Sequence, residues 1–592
     1  MLGTGEATRR IHSGQYITVD GSQGLVQLHA SAPTTPGSAQ QAAITWKPPK
    51  PKGMYMRGSL VDLLPDPLSP LFETMGMPAT IKGAERVGKV LTRSTPNLPD
   101  DYFTTINSYA YMNGALSPRA WWWAISRLLP SYPRMLRAAV PYWRDEVLPE
   151  YQAEVRRWQD QDPRQMSASD LWREAEELVD AAMHYTGALL FATIGASAGS
   201  EGLLTKIYGA MAKREGDPPA TTLVMGYNNI PVQAEKSLYD LATWCQADEQ
   251  LADYILATPS EALAEQLRQN KPPLRVSAEQ WQAFQENFNQ HLRQFGYMVY
   301  ELDFAKPLPL DDPTPMLETI KMYLRGEGVN PHERQQSSEA KRIRTAQMML
   351  SRLKGIRRWT FQKSLNWAQS LAEVREDALS DIGLAYPLLR QVFHELGRHL
   401  SEAGAIQQPE DIYWLRREEI EATLTSLEQD TGVEFLSGRV EERKVFWLAV
   451  KDMTPPPMLP PRKKILGFNT DIWVPASESD QVGEALKGVG ASAGIVTATA
   501  RVLHGPEDFD QMQPGDVLVA QITTPAWTPL FAMASAVVTD VGGPLSHGSI
   551  VAREYGIPAV MGTGVGTKRI HSGQVITVDG TTGVVKLNGR SK

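Results

Sequence analysis

Cysteine is nearly missing: Cys245 stands alone among 592 residues. One thiol makes no internal disulfide and no CxxC pair, which excludes disulfide scaffolds, zinc ribbons and thiol redox motifs and points to a reducing, cytoplasmic setting. A basic excess is missing as well. Lys plus Arg is 59 against 67 Asp plus Glu, giving a net charge of −8 and a pI near 5.8, the opposite of a nucleic-acid footprint. The opening residues, MLGTGEATRRIHSGQ, lack the apolar core of a signal peptide. Long apolar runs are scarce. Ala181 to Ser200 carries no charge and approaches the length of a bilayer crossing. Small residues dominate it, however, and no Lys/Arg bias flanks it, so the expectation is a buried helix and no membrane partner. Trp121, Trp122 and Trp123 read the same way: three consecutive indoles cannot share one helix face, so the helix bearing them is expected to be interior.

What is present is ordinary globular usage, 42% apolar and 21% charged, over a length that implies several domains. An internal repeat organises it. Residues 1–28 (MLGTGEATRRIHSGQYITVDGSQGLVQL) align without gaps to residues 560–587 (VMGTGVGTKRIHSGQVITVDGTTGVVKL), with 18 of 28 pairs identical. Both copies hold a Gly-rich turn, an alternating strand, an Asp-Gly turn and a second short strand, which is a hairpin signature. Residues 1–28 are therefore the truncated tail of a domain whose complete copy lies at 488–592. Two strands alone are marginal, so this copy is expected to be disordered or docked elsewhere.

In the complete copy, Gly494 to Leu503, Asp516 to Ile522 and Ala536 to Thr539 read as strands, and Ser549 to Tyr555 as the start of a helix, a compact α/β unit. Residues 29–52 are rich in Pro, Ala, Ser and Thr with little to bury, a linker. Across 53–451, runs such as Leu171 to Met183, Glu261 to Gln269 and Ala385 to Gly404 show i, i+3, i+4 apolar spacing. A Pro-rich stretch opens residues 452–487, read as a hinge. The fold class is a large, mainly α-helical domain followed by a compact α/β domain able to move on that hinge.

The sharpest local signal is TDVGGPLSHGSIVAR, Thr539 to Arg553. Gly542 and Gly543 allow tight backbone geometry and close approach. Ser546, Gly548 and Ser549 surround His547 at a helix entrance, where unpaired N–H groups and the macrodipole favour an anion. An imidazole beside an anion site is suited to carry a phosphoryl group on nitrogen. His571, paired with His12 in the repeat, sits in the hairpin and reads as structural.

Residues 515–563, with their GG-x-x-S-H-x-x-x-x-A-R-E-x-x-I-P-A pattern, resemble the swivelling phosphohistidine domain of the PEP-utilising enzymes. That group includes PEP synthase, pyruvate phosphate dikinase, enzyme I and rifampicin phosphotransferase. The resemblance implies that His547 is phosphorylated, that Thr524 or Thr528 hydrogen-bonds its imidazole, and that Arg553 belongs to the motif. The helical region preceding the histidine domain is laid out as in rifampicin phosphotransferase, through stretches such as Arg57 to Phe72, Tyr102 to Asn113 and Phe295 to Pro307. In that family this region holds the acceptor. By resemblance Arg375 neutralises phosphoryl oxygens, Glu376 helps deprotonate the acceptor hydroxyl and Asp62 lies near the acceptor. The family's R-E-Y-P-K reads Arg375-Glu376-Asp377-Ala378-Leu379 here, so its Lys is replaced.

The family loads its histidine from ATP through an ATP-grasp domain, and neither that domain nor a G-x-x-x-x-G-K-[ST] loop is found. The expectation is a phosphotransferase component with no metal site and no bound cofactor of its own. ATP and Mg²⁺ would act through a separate or missing ATP-grasp domain or subunit, as in the split phenylphosphate synthase. The acceptor would be a small molecule with a hydroxyl, aromatic or macrocyclic by analogy. Two other readings stand beside it: a phosphohistidine-regulated binding protein without turnover, and a truncated remnant of a longer enzyme.

Overall fold

A computed structural model describes residues 16–20, 25–29, 44–50, 53–96, 98, 101–115, 117–190, 195–451, 453–461, 464–465, 468–469, 485–543 and 546–587. The N-terminal repeat outside its two strands, most of the linker and most of the hinge lie outside the described residues. Within the repeat, Tyr16–Asp20 and Leu25–His29 pair antiparallel as a two-stranded sheet of their own, the hairpin that the Asp-Gly turn implies.

The helical domain is built around α1 (Met77–Thr92) and α2 (Ala168–Ala188), which cross where both lack side chains. A Cβ on Gly187 would lie 2.6 Å from Ala84 N and from Gly83 C, and one on Gly83 would strike the backbone of Met183 and His184. Around this crossing lie Leu171, Leu178, Tyr185, Leu389, Phe393 and Leu396, all buried. In the uncharged stretch read as a buried helix, α2 runs to Ala188 and the chain stays helical through Leu190, residues 191–194 lie outside the described residues, and α3 (Gly195–Met211) follows. No described helix is long and apolar enough to cross a membrane.

Four further helices face the C-terminal domain: α4 (Ile230–Cys245), α5 (Thr314–Leu324), α6 (Pro331–Arg352) and α7 (Gly355–Ser380). Side-chain caps start α4 and α6. Asn229 accepts from Val232 N, and Asn330 accepts from His332 N and Glu333 N, each satisfying donors that a helix start leaves unpaired.

Proline governs the rest of the helical backbone. Three π turns, Phe72–Gly76, Ala124–Leu128 and Trp143–Val147, each end two residues before a proline: Pro78, Pro130 and Pro149. A proline ring collides with the carbonyl four residues back, here Thr74, Ser126 and Asp145, and widening that turn relieves the collision without ending the helix. The triple tryptophan sits on the segment shaped this way, and the expectation of an interior helix is corrected there. Trp123 is buried, but Trp121 and Trp122 are 44% and 72% exposed, and Ile125 and Leu129 join them on the surface. Only one face of the segment finds a neighbour, so the indoles that cannot share that face remain in solvent.

Residues at the linker and hinge margins also engage the helical domain. Ile44 and Trp46 pack with Tyr55 and Tyr109, Lys50 pairs with Asp101 at 2.9 Å, and Met458–Leu459 pairs antiparallel with Tyr55–Met56.

The C-terminal domain holds an eight-stranded sheet. Its strands are β1 (Ala485–Lys487), β2 (Val489–Ser492), β3 (Ile495–Leu503), β4 (Val517–Ala520), β5 (Ala536–Thr539), β6 (Ala559–Met561), β7 (Val575–Asp579) and β8 (Val584–Leu587). Their order is β2-β6-β5-β4-β3-β7-β8-β1. The central neighbours β3–β4, β4–β5 and β5–β6 run parallel. Strands β4, β5 and β6 are buried at every position, as expected for strands covered on both faces. Helix α8 (His547–Tyr555) follows β5.

One apolar cluster joins the two domains. Tyr300, Leu317 and Ile320 of the helical side are buried with Phe509, Trp527, Leu530 and Phe531. The Phe509 ring stands 4.6 Å from Trp527 and 5.9 Å from Tyr300. The α1–α2 crossing leaves no space for a side chain, so Gly187→Val is expected to destabilise the protein by about 3 kcal/mol. A thermal or urea melt that stays at the wild-type midpoint contradicts that packing.

Candidate functional site

In open sheets with parallel strands, sites form outside the carboxyl ends of those strands. Here β4 and β5 end side by side, and the loops leaving them carry the residues singled out in the sequence. After β5 the chain turns at Gly542, whose φ of +126° suits glycine alone. Ser546 caps α8 in extended conformation. Its Oγ donates to Gly543 O at 2.9 Å and lies 3.1 Å from Ser549 Oγ, which donates to the same carbonyl at 2.5 Å. The two serines thus fasten the glycine turn to the first turn of α8. Gly548 has to be glycine for a steric reason, since a Cβ there would collide with Thr523 Oγ1.

His547 opens α8 and is 9% exposed. Its Nδ1 lies 2.7 Å from Glu376 Oε2, a contact that crosses from the α/β domain to helix α7. Its Nε2 faces Thr528 Oγ1 at 3.4 Å, while that hydroxyl donates to Pro525 O at 2.7 Å. Of the two candidate threonines, Thr528 is therefore the one beside the imidazole. Thr524 Oγ1 is buried without a hydrogen-bond partner.

Behind Glu376 stands a second layer. Arg375 Nε donates to Glu376 Oε1 at 3.1 Å, and its Nη1 reaches Glu201 Oε1 at 3.1 Å. Burial alone would raise the Glu376 carboxyl. The neighbouring His547 ring and the Arg375 guanidinium overcome that and hold it at about 2, so it is a carboxylate at any ordinary pH. With Glu376 ionised, Nδ1 is the ring nitrogen that donates to it, and Nε2 is the one that faces Thr528.

Arg553 is half-buried; it donates to Ala491 O at 3.2 Å and is lowered to about 10 by burial, with Glu201 and Arg375 as charged neighbours. Leu379, at the position of the family's lysine, packs against the helical core. Asp62 closes a 3-10 turn, Gly58–Asp62, and its side chain lies outside the described residues. The structure thus gathers Gly542, Gly543, Ser546, His547, Gly548, Ser549 and Thr528 with Arg375 and Glu376. Glu201 was missed from the sequence because it lies just past the small-residue stretch, Ala181 to Ser200, with no motif to mark it. Among the described residues no group of three or more His, Cys, Asp or Glu side chains could hold a metal ion.

Comparison with known families bears directly on this arrangement. Residues 512–583 match the PEP-utilising enzyme mobile domain. The C-terminal unit is similar to that domain over most of its length. The helical side matches too, residues 189–376 aligning with the rifampicin phosphotransferase fourth domain, a match that ends on Glu376. Among relatives, an uncharacterised phosphotransferase, YvkC of Bacillus subtilis, is 29% identical over 62% of this chain and 43% of its own length. A rifampicin phosphotransferase of Streptomyces sviceus is 27% identical over 61% and 40%. The prodigiosin synthesizing transferase PigC of Serratia marcescens is 30% identical over 51% and 33%. The chain spans less than half the length of each of these relatives.

The C-terminal domain also carries the half-buried Glu554, whose carboxyl is pushed up to about 7 by desolvation and by Glu376 nearby, against the Gly226 N–H, Arg334 and Arg375. A carboxyl raised on folding contributes stability that is complete below its free value and is lost as pH rises through the folded one. Glu554→Gln is therefore expected to melt increasingly above wild type as pH rises from about 4.5 to about 7, and by a steady margin above that. A melting difference independent of pH contradicts this.

Proposed function

We propose that this chain is the acceptor-and-histidine part of a phosphotransferase, with His547 as the phosphoryl carrier. The observation that carries the reading is the 2.7 Å contact between His547 Nδ1 and Glu376 Oε2 across the domain interface. With Nδ1 as the donor in this contact, the phosphoryl group is carried on Nε2 when the domain docks. In loading, Nε2 attacks the donor phosphorus and the bond to the donor's leaving oxygen breaks; once the domain has docked, Glu376 balances the positive phosphorylated ring. In delivery, an acceptor hydroxyl oxygen attacks phosphorus, the N–P electron pair returns to Nε2, and the acceptor's proton passes to that lone pair. Arg375 and Arg553 supply positive charge against the phosphoryl oxygens, the kind of positioning and electrostatic help that phosphoryl transfer needs.

This assigns Glu376 a different task from the one the family resemblance implied. A carboxylate held at about 2 is too weak a base to draw a proton from an alcohol, whereas it is well placed to fix the tautomer and stabilise the phosphorylated ring. Loading draws on ATP and Mg²⁺ through a separate ATP-grasp domain or subunit, reached when the mobile domain swings on the connection before Ala485. The docked arrangement described above is the delivery state, and the acceptor is a small molecule with a hydroxyl, bound by the helical domain. The similarity to rifampicin phosphotransferases supports the reaction class. Leu379 in place of the family's lysine argues against the antibiotic itself as acceptor.

The test is labelling with ATP carrying ³²P at the β position, together with Mg²⁺ and an ATP-grasp protein. Wild type is expected to gain acid-labile, base-stable label and His547→Ala none. Glu376→Gln should label but pass the group on more slowly by on the order of 10²-fold. Label that survives His547→Ala contradicts the assignment. A label that is stoichiometric and never discharged to any hydroxyl compound would instead identify a regulated binding protein.

A further inference from the structure

His547 is the first residue of α8, and Glu554 and Tyr555 are its last two. Over nine residues the helix advances about 12 Å, so its two ends meet the helical domain at separate places. The second place has its own set of groups. The Arg334 guanidinium, in the first turn of α6, stacks on the Tyr555 ring 3.6 Å from its centroid. The same guanidinium grips Glu235 of α4 with both nitrogens, and Tyr323 OH of α5 donates to that carboxylate at 2.7 Å. Beside it Gly226 N donates to Glu554 Oε1 at 3.4 Å. Gln335 of α6 holds the Gly226 carbonyl at 3.2 Å, and Arg342 holds that of Met225 at 3.2 Å. Three helices and a loop thus converge on the far end of α8.

A single contact at His547 would leave the mobile domain free to pivot about it. Two contacts about 12 Å apart fix the direction of the helix and with it the aim of Nε2. Arg334 is suited to the task because Glu235 and Tyr323 hold its plane in place before the mobile domain arrives, so little side-chain freedom is lost on docking. We infer that Arg334 and Tyr555 form a docking clamp that positions His547 against Glu376, a role separate from the chemistry at the histidine. The inference rests on the delivery-state reading above, and its test is independent of phosphate chemistry.

Spin labels on Lys363→Cys and Lys586→Cys, both exposed positions, report the distance between domains; the buried Cys245 thiol, raised to about 12 by burial, stays unlabelled. Tyr555→Phe keeps the ring and loses only the hydroxyl, which also reaches Glu235, and Tyr555→Leu removes both, while Arg334 keeps its own hydrogen bonds to Glu235 in each. Wild type and Tyr555→Phe are expected to share one distance. Tyr555→Leu should show a second, longer one, its undocked share raised about tenfold or more. Phosphoramidate, which phosphorylates accessible histidines directly, should then modify His547 faster in Tyr555→Leu than in wild type. The clamp is refuted by a wild-type distance distribution in Tyr555→Leu, or by equal undocking in Tyr555→Phe. Failure of phosphoramidate to modify His547 in any variant would count against the phosphohistidine reading and leave the distance result standing.

Discussion

One hydrogen bond, from His547 Nδ1 to Glu376 Oε2, joins two domains whose residues are 171 positions apart, and the rest of the site is arranged to make it possible. On one side, β4 and β5 end together, so that their loops bring Thr528 and the glycine turn to the same imidazole. On the other, α7 delivers Arg375 and Glu376 as neighbours, and α3 supplies Glu201 to hold the arginine in place. A buried carboxylate is costly unless it is paired and hydrogen-bonded, and here each partner satisfies the next. Removing one leaves a buried charge short of a partner.

The interface around this bond is apolar as well as ionic. Tyr300, Phe509, Trp527 and Phe531 are buried in one cluster, so docking carries a hydrophobic contribution that needs no particular orientation. Direction comes from the polar contacts at the two ends of α8. That division suits a domain that must return to the same pose: greasy surface for attraction, a few charged groups for aim. Glu554, raised to about 7 by its burial, is the group at this interface that resists docking once ionised.

Much of this was legible in the amino-acid sequence, and the limits have physical causes. The helix at His547 followed from the glycines and serines around it, because a tight turn into a helix has few chemical solutions. Strands β3, β4 and β5 followed from short apolar runs bounded by turn residues. Thr528 could not be separated from Thr524 by pattern, since both precede apolar residues in the same loop; only the fold shows which hydroxyl faces the ring. The tryptophans were misplaced because the argument from three consecutive indoles assumes neighbours on every side. The exposed tryptophans lie on a helix covered on one face among the described residues, and two of the segment's prolines, Pro130 and Pro149, follow π turns that no propensity scale marks. Arg334 and Tyr555 left no trace, because a pair 221 positions apart becomes a pair only after two domains have folded and met.

The central claim is that His547 carries the phosphoryl group on Nε2 while its Nδ1–H donates to Glu376 in the docked, delivering state. The most direct measurement is ¹⁵N–³¹P NMR of the phosphorylated protein with ¹⁵N-labelled histidine. Coupling of phosphorus to Nε2 of His547, with Nδ1 still protonated, is the predicted result. Coupling to Nδ1 would contradict the account, because the phosphoryl group would then occupy the position assigned to Glu376.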